Sequence, residues 1–144
     1  MKGLVCKFCG YVALDGKTDV CPVCHMKNAF EEKEDAYKTP DFKAEKGESE
    51  KKHIPFFAPV NESGLIPGTK CVRVKIGEIL HPSLPEHFIA NITFYLDNKF
   101  LARMQLTPDV NPAAAVHLKE GSKGKVQVIE NCNIHGKWYN ETEI

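Results

Sequence analysis

Five residues in the C-terminal two thirds of the chain could together bind a transition metal. Cys132 and His135 stand three positions apart in CNIHGKW, His81 and His87 lie six positions apart in HPSLPEH, and His53 lies in KKHIP. Thiolate sulfur and imidazole nitrogen form a mixed donor set that suits redox-active iron or copper at least as well as zinc. The sequence therefore predicts a redox metal site, provided that the fold brings these residues together.

The number of donors bears on the chemistry of this site. Zinc rarely takes five protein ligands, whereas a ferrous ion that prefers six would keep one position open. A thiolate opposite that position would push electron density onto whatever binds there. Such a site suits one-electron reduction of a small oxygen species that contacts the metal directly. His117 in AAAVHL and Cys71 in KCVRV are interpreted as structural residues instead.

A second set of metal ligands is predicted at the N-terminus. Two C-x-x-C pairs with eleven residues between them supply Cys6, Cys9, Cys21 and Cys24. Residues 1–30 are too few to fold on apolar burial alone, so a tetrahedral metal bound by four thiolates would supply the missing stability. Four thiolates bind iron and zinc alike, and the sequence leaves the choice between them open.

Composition argues against several classes of protein. Nineteen basic residues balance nineteen acidic ones, which leaves no overall field to attract nucleic acid or an anionic membrane. No apolar run approaches the ~20 residues of a membrane span, and the N-terminus lacks the apolar centre of a signal peptide. We expect a cytoplasmic protein without disulfide bonds that binds neither nucleic acid nor membranes.

Alternating apolar residues predict the strands that must position the second set of ligands. Segments 72–76 and 88–96 alternate with period two, residues 100–106 form a further predicted strand, and KGKVQVIEN predicts a strand that delivers Cys132. Asp97-Asn98 reads as a tight connection between two of these strands. Short strands without a long amphipathic helix indicate an all-β sandwich.

The charge pattern divides the chain into three predicted parts. Residues 1–30 form a metal-binding knuckle, residues 31–52 form a solvated, highly charged linker, and residues 53–144 form the β-sandwich domain.

The motifs KHIP, GEILHPSLPEHFI and CNIHGKW occur in an order and with spacings that resemble the superoxide reductase family, also called neelaredoxins or desulfoferrodoxins. The resemblance covers about residues 53–139. It implies a seven-stranded, immunoglobulin-like β-sandwich with one non-heme iron. It also implies four equatorial histidine ligands and one axial cysteine ligand, which here are His53, His81, His87, His135 and Cys132.

The family reaction reduces superoxide to hydrogen peroxide with one electron from ferrous iron and two protons. Lys52 matches the family's lysine before the first histidine, so the resemblance implies that it steers the anionic substrate and organises the water that protonates the product. A solvated linker lysine is the alternative interpretation. The family usually reads acid-Lys-His, with the acid as sixth ligand of oxidised iron, whereas this chain reads Glu50-Lys51-Lys52-His53. Either Glu50 reaches the metal through a rearranged loop, or water or hydroxide takes its place.

The N-terminal segment resembles the rubredoxin-like domain of rubrerythrins through CKFCGY, CPVC and Phe30, and it departs from that pattern at His25, where glycine is usual. This resemblance implies iron that passes electrons towards the catalytic centre, and a structural zinc knuckle is the alternative. The expected partners are a rubredoxin-type electron donor and further copies of the chain, in a dimer or tetramer.

Two other functions compete with the enzymatic one. The first is a non-catalytic, iron-binding electron-transfer protein that keeps the ligands but has lost the reaction because its acid is displaced. The second is a zinc-ribbon module that binds nucleic acid, which the neutral charge and the unexplained HPSLPEH motif disfavour.

Overall fold

The protein is described by a computed structural model that covers residues 1–40 and 47–144. The elements of this part of the chain, in order, are β1 (Gly3–Cys6), β2 (Phe30–Lys33), α1 (Glu48–His53), β3 (Pro55–Phe57), β4 (Asn61–Glu62), β5 (Lys70–Ile76), β6 (Ile89–Leu96), β7 (Lys99–Gln105), β8 (Ala113–His117), β9 (Lys125–Cys132) and β10 (Gly136–Glu143). None of the described residues forms a helix long and apolar enough to cross a membrane.

Two antiparallel sheets form the sandwich. The first has the order β10-β9-β6-β7, and the second is built around β5, which pairs with β8 on one edge and with β3 and then β4 along the other. β3 and β4 follow one another along the same edge of β5, so the eight strands occupy seven strand positions in the two sheets. The prediction of an all-β, immunoglobulin-like sandwich is confirmed.

The core between the sheets follows from the alternation seen in the sequence. Every second residue of β5 turns inward, where Val72, Val74 and Ile76 are buried. Phe94 of β6 and Val128 of β9 face them from the first sheet. Burying such side chains contributes roughly 1.5–3 kcal/mol each, and this core holds one end of the sandwich rigid enough to carry a metal site.

The predicted tight connection between β6 and β7 is confirmed at Asp97-Asn98. Both residues have positive φ angles, 46° and 70°, which a two-residue hairpin of the primed type requires and which Asp and Asn tolerate better than most residues. This turn sets the register in which Leu96 pairs with Lys99.

The four-cysteine knuckle packs on the sandwich and buries a second apolar cluster there. The ring of Tyr11 stacks on Tyr95 of β6 at 5.7 Å between centroids and meets Phe100 edge-on at 5.6 Å. The hydroxyl of Tyr95 donates a hydrogen bond to the carbonyl of Val12 (2.8 Å). The knuckle therefore has a fixed orientation against the first sheet.

The segment predicted as a solvated linker, residues 31–52, is ordered over much of its described length, and this difference has a clear cause. Its first residues complete β2, Ala36 is buried against the knuckle, and Lys38 forms a parallel bridge with Trp138 on the edge of β10. Backbone hydrogen bonds and the burial of Ala36 outweigh the charge of the segment. Residues 41–46 of the predicted linker lie outside the described residues, and the division into domains stays a prediction.

Helix α1 occupies the end of the predicted linker, and His53 is its last residue. The helix fits against the loop after β5 because Gly77 has no side chain. A Cβ at this position would lie 2.8 Å from the carbonyl carbon of Lys52 and 3.0 Å from the carbonyl oxygen of Ile54. The backbone N–H of Ile79 also donates to the carbonyl of Lys51 (3.1 Å). These contacts fix the helix beside the loop.

Candidate metal centres

The five predicted donors come together at one end of the sandwich. His53 comes from α1, and His81 and His87 come from the loop between β5 and β6. Cys132 ends β9, and His135 lies on the turn into β10. Three distant segments thus converge, because the loop after β5 and the turn after β9 leave the same end of the strands that share the core and α1 lies beside that loop.

The four imidazole rings form a closed quadrilateral. Neighbouring ring centroids are 4.8 Å apart for His53 and His81, 4.5 Å for His81 and His87, 5.0 Å for His87 and His135, and 4.9 Å for His135 and His53. The diagonal from His53 to His87 is longer, at 6.3 Å. Each ring is steeply inclined to the rings beside it, around one central point.

The nitrogens that face this point are free to bind a metal. Nε2 of His53 and Nε2 of His87 are buried and lack a hydrogen-bond partner within the described residues. Donor atoms of His53, His87, Cys132 and His135 all lie within 4.8 Å of one another. His81 lies outside that group, although its Nε2 is 3.5 Å from Cys132 Sγ. Orphaned nitrogens around a sulfur atom are costly unless a cation satisfies them.

Hydrogen bonds on the outer side of the rings hold two histidines in the required tautomer. The Nδ1–H of His53 donates to the carbonyl of Ser49 (2.7 Å), and the Nδ1–H of His81 donates to the carbonyl of Pro82 (2.8 Å). Each bond leaves Nε2 unprotonated and fixes the plane of the ring, which is how proteins orient metal-binding histidines.

Burial favours the neutral form of two of the imidazoles, those of His81 and His53. It lowers the pKa of His81 to about 4, and that ring is 1% exposed. Burial also lowers the pKa of His53, and the nearby charges of His135, His87 and Lys38 act in the same direction. Neutral imidazoles at pH 7 have the lone pairs that a metal needs.

The pKa of the Cys132 thiol is shifted upward, in the opposite direction from the pKa values of His53 and His81. Burial raises the pKa of Cys132, and the charge of Glu130 adds to the effect, while backbone N–H groups of His135 and Ile134 oppose it. The His135 N–H lies 3.4 Å from Sγ. A metal ion would supply the positive charge that deprotonates this thiol, as coordinating cations generally do. The donor set and its surroundings therefore fit iron.

Glu50 and Lys52 were predicted to act at this site, and both lie on helix α1. The structure shows different surroundings for the two side chains. The ammonium of Lys52 pairs with Glu48 one helical turn earlier (2.9 Å), and the lysine side chain is 37% exposed. Glu50 lines a separate cleft of about 270 Å³ with Phe56, Glu78 and others, and no histidine lines that cleft. The carboxylate is not among the clustered donor atoms.

Sequence reasoning missed three residues around the site. The indole of Trp138 stacks on His53 at 5.0 Å and 22°, and Lys38 Nζ lies 4.8 Å from the centre of that indole. Glu130, two residues before Cys132 on β9, is fully buried, and burial raises its pKa well above the usual range. Trp138 stands in the quoted CNIHGKW motif, and Glu130 interrupts an apolar strand, so both left a signal.

The four N-terminal cysteines form a second, tetrahedral cluster. Their sulfur atoms all lie within 4.8 Å of one another, with 3.6 Å between Cys6 and Cys24 and 3.5 Å between Cys9 and Cys21. Four thiolates at about 2.3 Å from a tetrahedral ion would be separated by about 3.8 Å, so the cluster fits iron or zinc with little adjustment.

The unusual residue of the knuckle, His25, keeps the turn that glycine would make. Its φ is 64°, close to the 77° of Gly10, which follows the first C-x-x-C pair as His25 follows the second. The backbone N–H of each residue donates to the first cysteine's carbonyl, from Gly10 to Cys6 and from His25 to Cys21, both at 2.9 Å. The substitution leaves this backbone geometry unchanged.

Comparison with known families gives a match over most of the sandwich. Residues 45–141 match the model of the Desulfoferrodoxin family. A superoxide reductase of Pyrococcus abyssi is 36% identical over 121 residues, which covers 76% of this chain and 96% of that protein. A superoxide reductase of Pyrococcus horikoshii is 35% identical over 104 residues and covers 65% of this chain and 87% of that protein.

Solved structures resemble the fold as well. The superoxide reductase (neelaredoxin) from Ignicoccus hospitalis has a TM-score of 0.58 and 27% identity, and the match covers 75% of this chain and 93% of that one. The corresponding protein of Archaeoglobus fulgidus, in its reduced form, has a TM-score of 0.56 and 28% identity, with 75% and 97% covered.

Proposed function

The chain belongs to the desulfoferrodoxin family, and we propose that it is a superoxide reductase that works at the histidine and cysteine cluster of the sandwich. The reaction converts one superoxide ion, one electron and two protons into one molecule of hydrogen peroxide. Iron held by His53, His81, His87, His135 and Cys132 would supply the electron. The alternative of a non-catalytic electron carrier has less support than this oxidoreductase.

One observation carries the proposal. Two buried imidazole nitrogens without partners, on His53 and His87, face a buried thiol within a ring of four histidines. A protein that did not bind a metal here would bear the desolvation cost of these groups without compensation. The mixed donor set favours a redox metal over a structural one.

The surrounding residues hold the donors and exclude water from the sulfur side. The Ser49 and Pro82 carbonyls fix two rings, the buried Cys132 keeps the thiolate away from solvent, and the exposed position of His135 leaves that side of the cluster accessible. Lys52 is proposed to attract the anionic substrate and to organise the water that delivers protons. Its pairing with Glu48 partly offsets its charge.

Glu50 remains a proposed sixth ligand of the oxidised site. It lies on the short helix α1 that also carries His53, so a rearrangement of this helix would have to bring its carboxylate round to the open side of the cluster. Water or hydroxide serves in its place when the helix keeps the present conformation.

The knuckle is proposed to bind iron and to receive electrons from a rubredoxin-type donor. The cluster of four sulfurs suits either iron or zinc, and an electron-transfer role requires iron. We further propose that the chain acts in the cytoplasm as a dimer or tetramer.

The test compares the wild-type protein with a Cys132→Ser variant after loading with iron. The wild-type protein should contain iron in the sandwich, show a thiolate-to-ferric absorption band when oxidised, and be oxidised by superoxide at a rate near diffusion control in a pulse-radiolysis experiment. Cys132→Ser should lose the band and react at least about 100-fold more slowly.

The matched control is Cys71→Ser, which alters a buried cysteine of β5 that belongs to neither cluster. It should keep both the band and the rate. A reduced wild-type protein whose iron is not oxidised by superoxide would sink the proposal and leave the electron carrier. The spectrum of the knuckle in the purified proteins before iron loading, which Cys132→Ser leaves intact, distinguishes iron from zinc.

A further inference from the structure

Lys38 belongs to the N-terminal part of the chain, and its positive charge lies beside the histidine and cysteine cluster of the sandwich. The segment that matches the family begins at residue 45, so Lys38 lies before it. Its side chain is exposed, and its Nζ lies 4.8 Å from the centre of the Trp138 indole and 3.5 Å from the carbonyl oxygen of His135. The same indole stacks on His53.

The backbone fixes Lys38 in this place. Its N–H donates to the carbonyl of Lys137 (2.9 Å), and its carbonyl accepts from the N–H of Tyr139 (2.8 Å). One residue earlier, the ring of Tyr37 packs on Tyr139 at 5.5 Å, and the N-terminal ammonium donates to the Tyr37 carbonyl (2.7 Å). The backbone of Lys38 is therefore held on the edge of β10.

The charge balance around the site gives Lys38 its importance. The chain has no net charge, so attraction of an anion depends on local charges. Lys52 is paired with Glu48 at 2.9 Å. Among the described residues, no carboxylate lies within 4.0 Å of Lys38 Nζ. Its partners are a carbonyl and an indole face, and neither cancels its charge.

We propose that Lys38 is a second steering residue that raises the local concentration of superoxide at the exposed side of the cluster. The inference rests on the proposed function. The ammonium acts through space on the approaching anion, and the indole and the His135 carbonyl hold it beside the ligands. The N-terminal part of the chain thereby takes part in the reaction of the sandwich, independently of the metal that the knuckle binds.

The test measures the second-order rate of oxidation of the reduced protein by superoxide at several ionic strengths. Lys38→Met keeps an unbranched side chain on the indole but removes the charge. A unit charge about 8 Å from its target in water changes a rate by about two- to threefold. Lys38→Met should therefore react about two- to threefold more slowly at low salt, and the difference should vanish at high salt.

Two further variants separate charge from packing. Lys38→Arg should keep the wild-type rate and salt dependence. Lys70→Met removes a lysine at the opposite end of β5 whose Nζ also contacts one carbonyl, that of Ser122 (3.3 Å), and should leave the rate unchanged. A loss in Lys38→Arg equal to that in Lys38→Met, or a loss that does not depend on salt, would overturn the proposal.

A second measurement does not depend on the enzymatic reaction. Trp138 is the single tryptophan of the chain, so its fluorescence reports anions beside Lys38. In the full-length protein loaded with zinc, the ratio of quenching by iodide to quenching by neutral acrylamide should fall in Lys38→Met and stay constant in Lys38→Arg and Lys70→Met. An unchanged ratio in Lys38→Met contradicts the proposal. If superoxide does not oxidise the wild-type protein, the proposed function fails, and this ratio still decides for or against Lys38.

Discussion

The two metal sites of this chain are built in opposite ways. The knuckle takes four identical ligands from within nineteen consecutive residues, Cys6 to Cys24, and its small apolar cluster surrounds them. The sandwich site takes five ligands from three segments between His53 and His135, which come together only when the strands have paired. The knuckle therefore needs its metal in order to fold, whereas the sandwich site needs the fold in order to bind its metal.

This contrast is not complete, because the two regions share a surface. Tyr95, Ile129 and Tyr139 of the sandwich belong to the same apolar cluster as the knuckle. The apolar side chains of the knuckle thus gain from the sandwich some of the burial that a segment of this size cannot supply by itself.

Loss of one knuckle ligand tests this contrast with the largest expected effect. Cys21→Ser should remove the knuckle metal and with it most of the binding free energy that folds the segment, on the order of 10 kcal/mol for such sites. Hydrogen exchange should show β1 and β2 unprotected while β5 and β9 stay protected.

The control for this experiment is Cys71→Ser, which should cost about 1–2 kcal/mol and leave β1 protected. Loss of protection in β5 together with β1 would mean that the sandwich is not an independent fold, and the contrast between the two sites would fail.

Truncation of Tyr11 measures how much packing against the sandwich contributes to the stability of the knuckle. Its ring is buried between Tyr95, Phe100 and Phe30, so Tyr11→Ala should cost about 3–4 kcal/mol. Amides of β1 should exchange at least about 100-fold faster, by the usual conversion of free energy to rate. Tyr11→Phe keeps the ring and should change exchange little. Equal effects of the two substitutions would locate the stabilisation in the hydroxyl instead.

Low pH should lower the stability of the sandwich in the metal-free protein more than the stability of the knuckle. Above about pH 6.5 the imidazole of His81 is neutral in both the folded and the unfolded chain. Between pH 6.5 and about 4 the unfolded chain takes up a proton that the folded chain does not, because burial lowers the folded pKa of His81 to about 4. Stability should therefore fall with falling pH in this window, by up to about 3 kcal/mol.

Urea unfolding at a series of pH values measures this loss. His81→Gln should flatten the dependence on pH, whereas His25→Gln, which removes an exposed histidine of the knuckle, should not. A steep dependence that survives in His81→Gln would assign the loss to other groups.

The smallest effect is expected for the polar contact between the two regions. Arg103 of β7 donates from Nη1 to the carbonyl of Cys9 (2.8 Å) and from Nε to the hydroxyl of Thr93 (3.2 Å). Arg103→Met should cost about 1–2 kcal/mol and should raise the exchange of β1 amides while leaving β5 unchanged. Arg73→Met on the other sheet removes a longer contact to the Pro59 carbonyl (3.4 Å) and serves as the control. If β1 responds equally to both variants, Arg103 does not join the regions.

The sequence was most informative where the pattern is local. The strands β5, β6, β7 and β9, the hairpin at Asp97-Asn98 and the four-cysteine knuckle all depend on neighbours within a few residues, and the structure contains each of them. The ligands of the sandwich site are far apart in the sequence, so their grouping followed from a family resemblance and from shared chemistry.

What the sequence could not supply depends on long-range contacts. The charge of residues 31–52 predicted a solvated linker, but backbone pairing with β10 and the burial of Ala36 are not visible in composition. Lys38 looked like one charge among many. The nearby residues Tyr37 and Pro40 were the signal that this stretch is less polar than the rest of the segment. The pairing of Lys52 with Glu48 also required the helix, which was not predicted.

Gly77 shows how a residue without any donor atom can control metal content. Because the backbone of α1 occupies the space that a side chain would need, any larger residue there would move His53 away from the other three rings, even though every ligand was retained. A genetic selection that scored iron incorporation would therefore recover this glycine together with the histidines. A redesign of the site that transplanted the ligands alone into another sandwich would reproduce their chemistry and miss their spacing.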